Sequence, residues 1–283
     1  MKGDFLIDGS SAYNAYGVFV QRGGYTGVLS MPSFKNIETV SWLEDDGIEA
    51  DLSSPVLDKR SMNITFGFRD IDALPSFFDR LSEAHSHSFS FPDIGRSLAL
   101  RMISNGSLSS LVRVGSLSLS FIEDVVALNA ASPFSLGATE VTQRGFAIDG
   151  VDLSQYGCWV LDGFVPSWRK APAVKENLVI SSKTVAGQTY YGQSDGVQYK
   201  SKDFSLRLLI RTQSLSDFNR CYDALFYALT RPQARNLTLG SYAANLPCYY
   251  KSSRCSRMEV FKTASVWCEL ELTLTMLSVR PEN

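Results

Sequence analysis

The residues of this 283-residue chain that could do chemistry are few, and their spacing suits little of it. His85 and His87 are its two histidines. On a strand they would share one face, as a pair of metal ligands can. No cysteine pair or carboxylate cluster accompanies them, so they read as a structural or solvated pair. Asp8-Gly9 and Asp149-Gly150 invite an acid–base reading. Each closes a repeated Phe-x-Ile-Asp-Gly, and such a repeat fits a turn, in which Asp accepts local backbone hydrogen bonds and Gly takes φ > 0. Glu44-Asp45-Asp46 lacks the further carboxylates in register that calcium needs, and reads as a solvated loop tip. Neither HExxH nor GxxxxGK[ST] occurs. The expectation is an empty set: no catalytic residues, no cofactor-binding residues, no metal ligands and no enzyme.

The remaining reactive and charged groups point the same way. All five cysteines (Cys158, Cys221, Cys248, Cys255 and Cys268) fall in the second half. Disulfides that stapled a duplicated fold would need counterparts in the first half, so free, buried or half-buried thiols are expected. Cys248 and Cys255, seven apart, match no common zinc spacing. Asn63-Ile64-Thr65 and Asn236-Leu237-Thr238 fit the glycosylation pattern. The opening Met-Lys-Gly-Asp-Phe has no apolar signal region, so cytoplasmic synthesis is expected and these sequons carry no weight. No run of 18 apolar residues occurs, so no membrane insertion is expected. Lys200, Lys202, Arg207, Arg211, Arg231 and Arg235 are dispersed, without the basic stripe and interleaved aromatics of a nucleic-acid reader, so no tight nucleic-acid binding is expected.

The elements that must position these residues are mostly strands, and they come twice. Phe5-Leu6-Ile7-Asp8-Gly9 returns as Phe146-Ala147-Ile148-Asp149-Gly150, and Tyr16-Gly17 returns as Tyr156-Gly157. Met62, Ile64, Phe66 and Phe68 alternate on one strand face, and Phe204, Leu206, Leu208 and Ile210 repeat the pattern. A helix follows in each copy, marked by Ile71, Leu74, Phe77, Phe78 and Leu81, then by Leu215, Phe218, Tyr222, Leu225 and Phe226. Short strands are expected at Leu98–Ile103, Leu111–Val114 and Leu117–Ile122, and at Cys248–Tyr250, Met258–Phe261 and Val266–Leu277. Pro166 and Pro172 read as breaks, and residues 183–200 as a long polar hairpin or loop. A period near 140 residues is long enough for a domain with its own core. The reading is mainly β with one flanking helix per repeat (α+β), as two tandem antiparallel sandwich or barrel domains, 1–126 and 145–283, joined by a linker at 127–144. The copies differ in charge. Residues 1–142 hold 10 Lys and Arg against 17 Asp and Glu, a net −7; residues 143–283 hold 17 against 12, a net +5. Acidic and basic copies that alternate around a ring would attract.

The opening Phe-x-Ile-Asp-Gly with its Tyr-Gly, the extended hairpin region and the strand–helix–strand core resemble the tail-tube-like domain of bacteriophage distal tail and baseplate-hub proteins. In that family such segments open the domain, and a charged loop like Glu44-Asp45-Asp46-Gly47 precedes the core strands. The resemblance covers both copies. It implies a structural tail component in the virion, synthesised in the bacterial host, that forms a ring around the tail channel. Sheets would line the lumen, and the partners would be tail tube, tape measure and hub proteins. Single-domain members form hexamers, and members with two tube-like domains can form trimers. The second domain of distal tail proteins is usually a different sandwich, whereas here it repeats the first, so trimer and hexamer both stay open. The alternative is a tandem carbohydrate- or host-surface-binding module, with Trp42, Trp159, Trp168 and Tyr190-Tyr191 as stacking platforms.

Overall fold

The computed structural model describes residues 3–126, 145–161, 163–176, 178–187, 189–191 and 197–278. The expected linker at 127–144 lies outside them. The first half runs β1 (Leu6–Ile7), β2 (Ser10–Ser11), α1 (Ala12–Tyr16), β3 (Val18–Val20), β4 (Thr39–Val40), β5 (Glu49–Ala50), β6 (Arg60–Phe68), α2 (Leu74–Ser82), β7 (His87–Phe91), β8 (Arg96–Leu111) and β9 (Val114–Glu123). The second half runs β10 (Phe146–Ile148), β11 (Val151–Asp152), β12 (Cys158–Val160), α3 (Phe164–Arg169), β13 (Leu178–Ile180), β14 (Thr189–Tyr191), β15 (Lys202–Thr212), α4 (Leu215–Thr230), β16 (Arg235–Leu239), β17 (Ala243–Val260) and β18 (Val266–Met276). Seven strands of each half form one antiparallel sheet, in the orders β2-β1-β7-β8-β9-β6-β3 and β11-β10-β16-β17-β18-β15-β12. Counted from the start of each half, the two orders are the same. Each half adds a two-stranded arm, β4–β5 or β13–β14. The fold is mainly β with a few helices, an α+β arrangement.

The repeated motif has the same local conformation in both places. Asp8 and Gly9 have φ of 48° and 84°, and Asp149 and Gly150 have φ of 52° and 77°. Positive φ at both central positions makes a type I′ hairpin turn, whose twist matches the flanking strands and which Asp-Gly favours. A short helical turn follows, over Ala12–Tyr16 in one half and Leu153–Tyr156 in the other. Gly17 and Gly157 end it in the left-handed region, and their N–H groups return to carbonyls of that turn. Tyr-Gly is thus a helix stop and Asp-Gly a hairpin turn.

Alternation builds the cores. Met62, Ile64, Phe66 and Phe68 are buried along β6, as are Phe204, Leu206, Leu208 and Ile210 along β15. The first sheet curls back on itself. Phe5, just before β1, and Phe66 on β6 lie toward opposite ends of the strand order, yet their ring centroids are 5.0 Å apart. Val20 N–H donates to Gly3 O at 2.7 Å and ties the two edges together. Helix α2 covers the first core with Leu74, Phe77 and Leu81, and Pro75 sits in its first turn, where no N–H partner is lost. Helix α4 is longer, is capped by Ser214 accepting from Asp217 N–H, and buries Phe218, Tyr222, Leu225 and Phe226.

Three expectations need correction. Leu98–Ile103 and Leu111–Val114 are not separate strands: β8 runs unbroken from Arg96 to Leu111, and the chain turns at Val112-Arg113. Cys248–Tyr250 and Met258–Phe261 likewise merge into the 18-residue β17. Both long strands pass through polar stretches that read as breaks, and both carry register shifts, at Met102/Ser104 and Asn105/Leu108 in one and Tyr250/Ser252 and Cys255/Arg257 in the other. Pro166 does not break the chain but lies in the first turn of α3.

Candidate functional site

The sequence-singled residues mostly serve structure. His85 precedes β7 and is exposed, whereas His87 begins β7 and is buried, so the two do not act as a pair. His87 Nδ1 lies 2.6 Å from Asp8 Oδ2, which also accepts from Arg80 at 2.9 Å, while Asp8 Oδ1 accepts the Ser88 N–H at 2.8 Å. The His87 hydrogen bond chiefly holds the Asp8 carboxyl below its usual range. The second half repeats the node with other cations. Asp149 Oδ2 accepts from Arg235 at 2.6 Å and Arg231 at 3.0 Å, and Oδ1 accepts the Asn236 N–H at 2.8 Å. Each aspartate leaves its hairpin turn to pin the first residues of β7 or β16.

Among the described residues, no three His, Cys, Asp or Glu side chains gather as a metal set. The five cysteines are all buried and unpaired. Burial pushes Cys221 and Cys248 up to about 12, which leaves them protonated and inert at neutral pH. One G-x-S-x-G spacing, Gly192-Gln193-Ser194-Asp195-Gly196, exists in the sequence but lies outside the described residues. A nucleophile elbow needs a helix directly after it, and residues 197–200 form none. The basic residues are engaged one by one: Arg207 with Glu269, Arg211 over the Trp267 ring, Lys202 with the Trp168 carbonyl. No helix among the described residues is long and apolar enough to cross a membrane. Trp168 is buried, packs edge-on against Phe204 and so offers no face to a ligand. Trp42 is exposed, Trp159 half-buried, and the side chains of Tyr190 and Tyr191 lie outside the described residues.

The notable geometry is the seam where the first half grips the second. The loop between β3 and β4 lies along α4 and β17. Tyr222 Oη donates to Leu29 O at 2.8 Å, Tyr250 Oη to Met31 O at 3.0 Å, Met31 N–H to Ser253 Oγ at 3.0 Å and Cys255 N–H to Ser30 Oγ at 3.2 Å. They lie along the stretch of β17 that extends past the five-residue β16, where the Cys255 N–H is one edge group that gains a partner. Arg96 adds an ion pair to Asp223 at 2.7 Å and lies over the Tyr222 ring, and Arg22 pairs with Glu259 at 2.7 Å. Beside the seam, Arg60 and Glu123 form a buried ion pair at 3.0 Å, and Arg60 donates to Val28 O. Burial raises the Glu123 carboxyl against the pull of Arg60.

The β4–β5 arm completes the grip. Its acidic tip is only partly solvated. Asp46 accepts the Tyr199 N–H at 2.9 Å, Gly47 N–H donates to Tyr199 O at 2.8 Å, Ile48 N–H to Leu277 O at 2.8 Å, and Lys175 Nζ reaches the Trp42 carbonyl. Glu44 and Asp45 alone match the expected exposed tip. Two of these four contacts are backbone to backbone and leave no side-chain signature in the sequence. At the outer end of the seam, Phe19, Val20, Met258, Val260 and Phe261 wall an apolar cleft of about 550 Å³. Both carboxylates that line it are already held, Asp93 by the Gly3 N–H and Tyr25 Oη and Glu259 by Arg22. Such a surface can hold chain against chain but has no nucleophile–base pair to work with.

No protein-family model matches the chain, and no curated protein matches it. Among solved structures, it is similar to the crystal structure of SPP1 Dit (gp 19.1), a protein described as a paradigm of the hub adsorption apparatus in phages that infect Gram-positive hosts. The identity is 10% over 96% of this chain and 98% of that one, with a TM-score of 0.33. A match that loose carries no argument about fold or function.

Proposed function

We propose that the chain is a structural component of a phage or prophage tail, a distal-tail or hub-like adaptor that forms a ring around the tail channel through β-sheet pairing and performs no catalysis. Residues 1–126 and 145–283 are its two tube-like β domains, with 127–144 as linker. The observation that carries this reading is the duplication: two seven-stranded sheets of one order, each opened by the Phe-x-Ile-Asp-Gly and Tyr-Gly segment that resembles the tail-tube-like domain. A chain built twice from one unit can meet further copies by the contact its own halves make, and repeated contacts of one kind close into rings. A trimer of such chains, or a hexamer, keeps a six-fold pattern. The charges of −7 and +5 favour alternation of the halves. Its partners are the other tail proteins (tail tube, tape measure and hub), and its place is the virion. Burial of Trp168 weighs against the carbohydrate-binding alternative. Light scattering with electron micrographs tests the proposal. Rings of three or six chains are expected, and a strict monomer at high concentration, with no ring in micrographs, refutes it.

A further inference from the structure

Strand pairing maps one half onto the other residue by residue. Phe66 pairs with Leu117, which pairs with Leu108. Leu208 pairs with Leu270, which pairs with Cys255. Leu108 and Cys255 thus hold the same position. Cys255 is 2% exposed, because the loop carrying Ser30 and Met31 lies across the edge of β17. Leu108 is 52% exposed, and β7 pairs no further along β8 than Leu100.

The arms compare in the same way. The last paired residues are Val40 and Glu49 in one arm and Ile180 and Thr189 in the other, so the tips are equal in length. Gly47 and Gly187 fall at the same place in them, both left-handed, with φ of 77° and 83°. Gly47 is seated on the second half, and a Cβ added there would be driven into the Leu277 carbonyl oxygen. The same Cβ at Gly187 would meet nothing within 4 Å. The matching receiving surface is open as well. The isolated bridges Phe34–Leu57 and Val174–Tyr199 make Leu57 the counterpart of Tyr199. The pairs Arg60–Glu123 and Lys202–Met276 make Asp124 the counterpart of Leu277. Beside them Val56 and Val125 are 59% and 82% exposed.

We propose that these open surfaces are the two sides of one interface, each filled by a second copy of this chain. The second half's arm seats Gly187 against Leu57 and Asp124 of the next chain. The segment between β12 and that arm, which holds α3, covers Leu108 on the edge of β8. The seam within a chain is repeated between chains. This rests on the ring-forming reading and names its contact. The occupant is another copy because both complementary surfaces belong to this chain, and because an acidic half meets a basic half in either setting. The patches on the two chains differ, so the contact is head-to-tail and propagates until it closes. An unpaired strand edge is also the kind of surface that strand-like segments cover.

Cysteine cross-linking of the full chain tests the contact, since the five native cysteines are buried. Ala186→Cys with Val56→Cys should give a ladder of covalent oligomers under a short bismaleimide, and neither single variant should. Leu108→Arg, at an exposed position that leaves the fold intact by circular dichroism, should weaken association about 10-fold or more. Oligomers in which the paired cysteines fail to cross-link, or that Leu108→Arg leaves as tight as wild type, overturn this contact while the ring-forming reading stands. A wild-type chain that stays monomeric overturns both.

Discussion

Asp8 and Asp149 occupy one position of a repeated motif and hold the same strand start, yet one pairs with His87 and Arg80 and the other with Arg235 and Arg231. Asp8 is held below its usual range, chiefly by His87, so folding favours its charged form. A depressed folded value adds stability above the unfolded range near pH ~4, and that stability is lost as pH falls through the folded value. The stability difference between wild type and Asp8→Asn should therefore be full at neutral pH and shrink in acid. Urea unfolding at both pH values checks this, and a difference that does not change with pH contradicts it. The Arg60–Glu123 pair has no ionic counterpart, since Lys202 faces Met276 in the second half. Glu123→Ala strands a buried guanidinium and should destabilise by about 3–5 kcal/mol, whereas Arg60→Met with Glu123→Leu should restore most of that stability. Denaturant midpoints of the three variants decide it.

At the scale of elements, the β8–β9 hairpin is the least conventional piece. It reverses at Val112, whose φ of 58° places a β-branched side chain in the left-handed region. Val112→Gly should raise stability by about 1–2 kcal/mol, read from thermal unfolding, because glycine takes that backbone without the Cβ clash. The same hairpin shows what the sequence conveys and what it conceals. Met62 to Phe68 reads as a strand because one face is buried and the other wet, and it is one. Leu215 to Phe226 reads as a helix because its apolar spacing and its Ser214 cap agree. Ser104 to Ser110 reads as a break, since serine, asparagine and glycine resemble turn chemistry. In the fold that stretch is strand, and Ser104 and residues 106–110 are exposed, where no apolar alternation is required. Pro166 misleads for a related reason: in a helix of six residues almost every position is a terminal one. The docking of the β4–β5 arm leaves little residue pattern, because backbone groups at Gly47 and Ile48 make half of its contacts and single polar side chains, Asp46 and Lys175, make the rest.

The whole molecule is a duplication with one seam satisfied inside the chain. The first half is acidic and grips a basic second half, while the ion pairs Arg96–Asp223 and Arg22–Glu259 take their cations from the first half. If assembly repeats that pairing between chains, exposed charges contribute to it, and salt should weaken it over the range where the screening length falls from ~10 Å to ~3 Å. A ring indifferent to ionic strength would remove the charge contribution and leave the shape argument. The duplication was readable from the two Phe-x-Ile-Asp-Gly segments, while the open counterpart of the seam was not, because it follows from three-dimensional equivalence of the halves. Native mass spectrometry of the wild-type chain at low salt tests the central claim most directly. The expected spectrum is dominated by one closed oligomer of three or six chains. A monomer at every concentration, or a continuous series of sizes with no preferred stoichiometry, contradicts it.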